Sequence, residues 1–194
     1  MEKAIENLSE MIRKIEEVLE LSQGAFNKHK INLVKKAEHL VHEIKMQEGV
    51  LTPLFLEQLK TDSDVKSYVS IPSHFRRISH NLDEILTAIS RKIHEKVLFS
   101  DKGADEINKL LNETESLLYN IADLIITRNT VIAKEVNLIA ESILEKAIEY
   151  TTLHEERLIQ GMCLPVASSI YIHIIDAVRG IAWHGKEIAS HFKT

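Results

Sequence analysis

The sequence predicts an all-α protein: two tandem three-helix bundles, six long antiparallel helices related by internal duplication. Three observations carry this. Apolar residues recur at three and four through most of the 194-residue chain, and no segment sustains two-residue alternation. Only 6 Gly and 3 Pro are present, too few for the frequent turns of a β-sandwich. The apolar pattern of the first half also returns in the second.

The first helix carries Ile5, Leu8, Met11, Ile12, Ile15, Val18 and Leu19 on one stripe, with Gly24 interrupting near its end. A second starts near Lys28, carries Ile31, Val34, Ala37, Val41 and Ile44, and reaches about Lys60. Pro53 falls inside it and is expected to kink or split it, because proline lacks the backbone donor and crowds the preceding turn. The polar stretch 61–70 reads as loop. Ile71-Pro72-Ser73 opens a third helix, since proline suits a first turn, where its missing N–H costs nothing. The stripe there is Phe75, Ile78, Leu82, Ile85, Ile89 and Ile93. Asp101 is the expected N-cap of a fourth helix, which carries Ile107, Leu110, Leu111, Leu117, Leu118, Ile121 and Leu124. The fifth runs over about 130–160 with Val136, Ile139, Ala140, Ile143 and Ala147; Gly161 ends it and Leu164-Pro165 opens the sixth.

A shift of 99 places Leu8 on Ile107, Met11 on Leu110, Val18 on Leu117 and Ile44 on Ile143. From the third helix onward the shift is 93, placing Pro72 on Pro165, Leu82 on Ile175 and Ile85 on Val178. The difference of 6 residues locates a longer connection in the first half, at 61–70. The repeats are expected at 1–99 and 100–194, sharing one core as a single compact domain.

Composition narrows the function classes. A formal charge of −5 argues against binding nucleic acid by neutralising phosphates. The single cysteine, Cys163, excludes an internal disulfide and a thiolate-rich zinc site, and its leucine neighbour suggests a buried, inert thiol. No apolar run approaches the roughly 20 residues of a membrane span; the most hydrophobic stretch, 170–178, is broken by His173 and Asp176. The opening MEKAIENLSE has no apolar signal-peptide stretch, so a cytoplasmic location is expected. No Gly-rich phosphate loop, nucleophile elbow or H-E-x-x-H is present, so no enzymatic activity is expected.

Histidine is abundant, at 10 residues. His80 and Asp83 form a His-x-x-Asp pair, and His173 and Asp176 repeat it 93 residues on. Three positions apart on a helix share a face, so imidazole and carboxylate can reach one ion. Glu84 lies one turn beyond His80, and Glu38 with His42 on the second helix could supply a facing pair. Such donors suit iron, zinc or nickel better than calcium or magnesium. The plainer reading is a solvated helix face with a weak hydrogen bond. Trp183, the only tryptophan, falls roughly opposite its helix's apolar stripe, as an interface anchor or as a side chain covered by a neighbouring helix. Lys28, Lys30, Lys35 and Lys36, and Arg76 with Arg77, form small positive spots that read as solvated faces.

Helix order, helix lengths, the duplication, the segment 82–89 (LDEILTAI) and the segment VRGIAWHGKEIA ending at Ala189 together resemble the PhoU family. The resemblance covers about residues 4–192. It implies a non-enzymatic regulator of phosphate transport and phosphate-starvation signalling that acts by protein–protein contacts. The implied partners are a phosphate transporter, its sensor kinase, or both. Peripheral docking on a membrane transporter is expected, with no membrane insertion and no nucleic acid. A homodimer is expected from the long helices and outward Trp183. The family gathers metals on an E/D-xxx-D motif of each third helix; here Asp83 is followed at that spacing by Thr87, and Asp176 by Gly180. His80, Asp83, Glu84, His173 and Asp176 are the expected ligands of any iron, zinc or nickel ion. The alternatives are a metal-binding helical bundle and an interaction module unrelated to phosphate.

Overall fold

A computed structural model describes residues 2–192. The elements are α1 (Glu2–Lys28), α2 (Ile31–Leu59), α3 (Ile71–His94), α4 (Asp101–Thr127), α5 (Thr130–Ile159) and α6 (Pro165–Ser190), with a short 3-10 helix, Ser63–Tyr68, before α3. Among the described residues there is no strand. The first trio has helices of 27, 29 and 24 residues, and the second has 27, 30 and 26. At 1.5 Å per residue these are rods of about 36–45 Å. Each trio packs its own three helices together, and the trios join chiefly along α3–α6 and α1–α4.

Amphipathic periodicity explains the arrangement. Leu8, Met11, Ile15, Val18 and Leu19 on α1, with Ile107, Leu110, Leu117 and Ile121 on α4, are all buried in one continuous apolar cluster. Each such side chain contributes roughly 1.5–3 kcal/mol by leaving water. The same backbone device closes the first link of each half. His29 and Arg128, 99 residues apart, follow α1 and α4 in the left-handed conformation, at φ 52° and 53°. The carbonyls three residues earlier, which an ending helix leaves without an amide partner, are both satisfied from elsewhere. Lys92 Nζ donates to Phe26 O at 3.0 Å, and Tyr68 Oη donates to Ile125 O at 2.9 Å.

Four local expectations are corrected. Gly24 does not interrupt α1, which continues to Lys28. One helical glycine costs only about 1 kcal/mol, and buried Ala25 and Phe26 hold the turn. Pro53 does not split α2, which runs unbroken to Leu59. The proline ring lies on the exposed side while Leu51 and Phe55, flanking it, are anchored in the core. The stretch 61–70 is not plain loop: its 3-10 helix is capped by the Asp62 carboxylate, which accepts from Asp64 N–H at 2.9 Å, and it buries Val65 and Tyr68. That helix has 6 residues, the length by which the two halves differ in register. Finally, Ser100 rather than Asp101 caps α4. Its backbone is extended and its Oγ accepts from Gly103 N–H at 3.2 Å, while Asp101 is the first helical residue, where a carboxylate still favours the helix dipole.

Candidate functional site

The helices α3 and α6 run antiparallel along the contact between the halves, and their facing polar side chains form the richest cluster of titratable groups. From one end to the other, Ser70 Oγ lies 2.8 Å from His191 Nε2, and His74 Nδ1 lies 3.1 Å from His184 Nδ1. At mid-seam Gly180 lets the Asn81 amide approach the α6 backbone, since a Cβ there would sit 2.7 Å from Asn81 Cγ. Further on, His173 Nε2 meets Glu84 Oε2 at 2.6 Å, and Arg91 Nη1 donates to Ser169 Oγ at 2.9 Å.

Of the five expected metal ligands, the structure brings two together: His173 of α6 and Glu84 of α3. Asp83 instead accepts from Lys45 Nζ of α2 at 2.8 Å, and Asp176 from Arg179 Nη1 at 3.2 Å. His80 is exposed and borders an open groove with Glu48, Ser73, Arg76 and Arg77. In each of the mirrored His-x-x-Asp pairs the aspartate contacts a cation of the protein, Lys45 or Arg179. Among the described residues no group of three or more His, Cys, Asp or Glu side chains is placed to hold a metal ion. Glu38 and His42 are exposed on α2, and neither reaches the His173–Glu84 contact. Lys28, Lys30, Lys35, Lys36, Arg76 and Arg77 are all exposed, and Arg76 pairs with Glu48 at 3.0 Å. Trp183 is 50% exposed, its ring set edge-on to His184.

Sequence reasoning missed the histidines at the other end of the seam. His184 is buried, and burial with His74 and Arg77 nearby pushes its pKa down to about 4. Burial likewise lowers the pKa of His74, with help from His191 and Arg77 against the opposing charge of Glu187. Both imidazoles are thus neutral at pH 7, and one donates to the other. The available signal was the histidine count, since His74 and His184 carry no shared local motif.

A second polar cluster lies at the end of the bundle where α5 turns into α6. Glu106 of α4 is 1% exposed and accepts from Arg157 Nη1 at 3.1 Å, Arg157 Nη2 at 2.6 Å and Tyr171 Oη at 2.6 Å. Burial and the Glu106 carboxylate raise the pKa of Tyr171. His154 stacks on Tyr171 with ring centroids 4.2 Å apart, and its Nε2 lies 2.8 Å from Ser168 Oγ. Beside them is a cavity of about 240 Å³ bordered by Phe99, Cys163, Leu164, Ala167, His154 and Tyr171. Cys163 is half-buried on its wall, in the turn between α5 and α6, rather than sealed in the core. Glu106 could have been suspected from its place four residues before Leu110 on the core stripe of α4.

No protein-family model and no curated protein matches the sequence. Solved structures do. The phosphate transport system regulatory protein PhoU from Streptococcus pneumoniae superimposes with a TM-score of 0.86 at 13% identity, over 98% of this chain and 92% of that one. PhoU from Pseudomonas aeruginosa gives 0.84 at 13% identity, over 98% of this chain and 94% of that one. Six helices in the same arrangement over nearly the full length of both chains give one conclusion: this chain has the PhoU fold.

Proposed function

We propose that the chain is a non-enzymatic regulator of phosphate transport, working by protein–protein contacts with a phosphate transporter, its sensor kinase, or both. The observation that supports this reading is the full-length match to a phosphate transport system regulatory protein. The surface suits it. Met46, Val50 and Leu56 on α2, and Val131 and Leu138 on α5, stand exposed, and outward apolar side chains are what a docking surface needs. Among the described residues no helix is long and apolar enough to cross a membrane. In this reading the chain docks peripherally on the cytoplasmic face of a transporter. Affinity capture of the tagged protein from phosphate-limited cells tests the reading. Enrichment of transporter or kinase subunits is expected. No enrichment, together with unchanged phosphate uptake in a strain lacking the protein, would refute it.

The same reading includes a homodimer in which half-exposed Trp183 contributes to the contact. Sedimentation at tens of micromolar should show a dimer that Trp183→Ala weakens; a monomer for the wild type rejects it. A second reading, metal binding at His80, Asp83, Glu84, His173 and Asp176, is favoured only by the 2.6 Å His173–Glu84 contact. Stoichiometric iron, zinc or nickel that is lost in His173→Ala plus Glu84→Ala would support it.

A further inference from the structure

We infer that the cavity where α1 and α3 end and α4 begins is a binding site for a small monocarboxylate with a compact apolar body, anchored by the Lys92 ammonium. The inference does not rest on the phosphate-transport reading, and it uses none of the ligands expected from sequence. The cavity measures about 140 Å³. Phe26, Leu98 and Phe99 form its apolar wall, and Lys92, with exposed Asn27 and His29, forms its polar side. A cavity of about 150 Å³ holds a benzene molecule, so the room suits a body of that size.

Lys92 supplies the second support. It is 3% exposed, yet among the described residues no carboxylate contacts it. Buried lysines are almost always paired. An ammonium has three donors and no acceptor. One donor goes to Phe26 O at 3.0 Å and one to His29 Nε2 at 2.7 Å. Among the described residues no third acceptor meets the ammonium. It stands 4.6 Å from the Phe26 ring centroid and 5.7 Å from that of Phe99. The charge is thus fixed among the residues that border the cavity.

Closing α1 does not explain a cation here. The matching carbonyl in the second half, Ile125 O, is held by a hydroxyl, that of Tyr68, so such a cap needs a donor and not a charge. Lys92 instead carries its charge into the interior, where burial lowers its pKa to about 8. An incoming anion meets a cation already stripped of water and held in place, which lowers the cost of pairing. His29 accepts from the ammonium, and Asn27 exchanges amide hydrogen bonds with Asn108 at 2.8 and 3.0 Å, so neither side chain supplies a competing negative charge. One cation matches one carboxylate. Phosphate, with oxygens on every side, would leave acceptors unmet against the phenyl rings.

Isothermal titration of the full chain with sodium benzoate at pH 7 tests the site. One benzoate per chain is expected, with a dissociation constant of about 0.1–1 mM for a ligand of this size. Benzamide has the same shape without the charge and should bind at least roughly tenfold more weakly. Inorganic phosphate at equal concentration should not displace benzoate. Lys92→Met should weaken benzoate binding at least roughly tenfold, and Asn27→Asp, which sets a carboxylate beside the ligand, about tenfold. Asn27 is exposed, so its variant keeps the test valid if Lys92→Met unfolds the chain. No saturable benzoate binding tighter than about 5 mM would overturn the inference. So would benzamide binding as tightly as benzoate, displacement by phosphate, or undiminished affinity in Asn27→Asp or in folded Lys92→Met.

Discussion

The two halves share a backbone plan yet close their outer corners in opposite ways. In the first half the corner where α2 turns into α3 is filled with hydrocarbon. Phe55, Phe75 and Ile78 are buried there, and the 3-10 helix inserts Val65 and Tyr68, with Phe55 and Tyr68 stacked at 6.0 Å. Applying the repeat shifts of 99 and 93, the matching residues in the second half are His154, Ser168 and Tyr171. These bond to one another and to the Glu106–Arg157 pair. No six-residue insert exists there, and a cavity of about 240 Å³ remains. The first corner is thus a sealed hydrophobic plug, and the second holds a charge-paired polar network beside a pocket. Burying such a network is tolerable only when every charge finds a partner.

Breaking the polar corner should have the largest effect. Arg157→Leu removes the guanidinium from the buried Glu106 carboxylate, leaving it the Tyr171 hydroxyl and Lys102 at 3.7 Å, and should destabilise by about 3 kcal/mol, read from urea midpoints; the double variant with Glu106→Gln should recover most of that. If the single change costs under 1 kcal/mol, the pair does not organise this corner. Exchanging residues between corners sharpens the contrast. Phe55→His places an imidazole where Phe75 replaces the serine it would need, and should cost about 3 kcal/mol from lost packing and an unpaired polar group. The reverse change, His154→Phe, gives up one hydrogen bond and should cost only about 1 kcal/mol. Equal costs in the two directions would show that the corners are interchangeable.

The matched carbonyls at the ends of α1 and α4 provide a pH test. Phe26 O is held by Lys92, 3% exposed, also 2.7 Å from His29 Nε2 and, among the described residues, without a carboxylate in contact. Burial lowers its pKa from 10.5 to about 8. Between these values the unfolded chain binds more protons than the folded one, so stability rises with pH across that window. Relative to Lys92→Met, the wild type should gain about 2 kcal/mol between pH 7 and pH 10. Ile125 O is held instead by the Tyr68 hydroxyl. Tyr68→Phe should cost about 1–2 kcal/mol. A difference between the wild type and Lys92→Met that does not change with pH would contradict the charged cap. The smallest effect belongs to Ile159→Lys at the end of α5, 85% exposed, which should stay within about 0.5 kcal/mol.

The helical stripes were legible because burial on a helix face imposes a period near 3.6 that survives in any sequence with that face in a core. Leu8, Ile78, Leu110 and Ile175 were all assigned inward and all lie buried. The unequal shifts, 99 and then 93, even located the extra six residues of the first half, though not their helical form. Pro53 and Gly24 misled because local propensity is worth about 1–3 kcal/mol per residue, less than what a packed helix face supplies. Site residues were harder. His80 and Asp83 made a convincing local pattern, but Lys45, from another helix, took the aspartate.

By itself, then, the chain determined its class, its six helices and which faces turn inward, since these follow from periodicities within single segments. Only the tertiary structure decided which polar side chains meet. His74 lies 110 residues from His184, and Glu106 lies 51 residues from Arg157. Contacts between helices depend on rotation and axial offset to within about an ångström, and no single helix encodes either quantity.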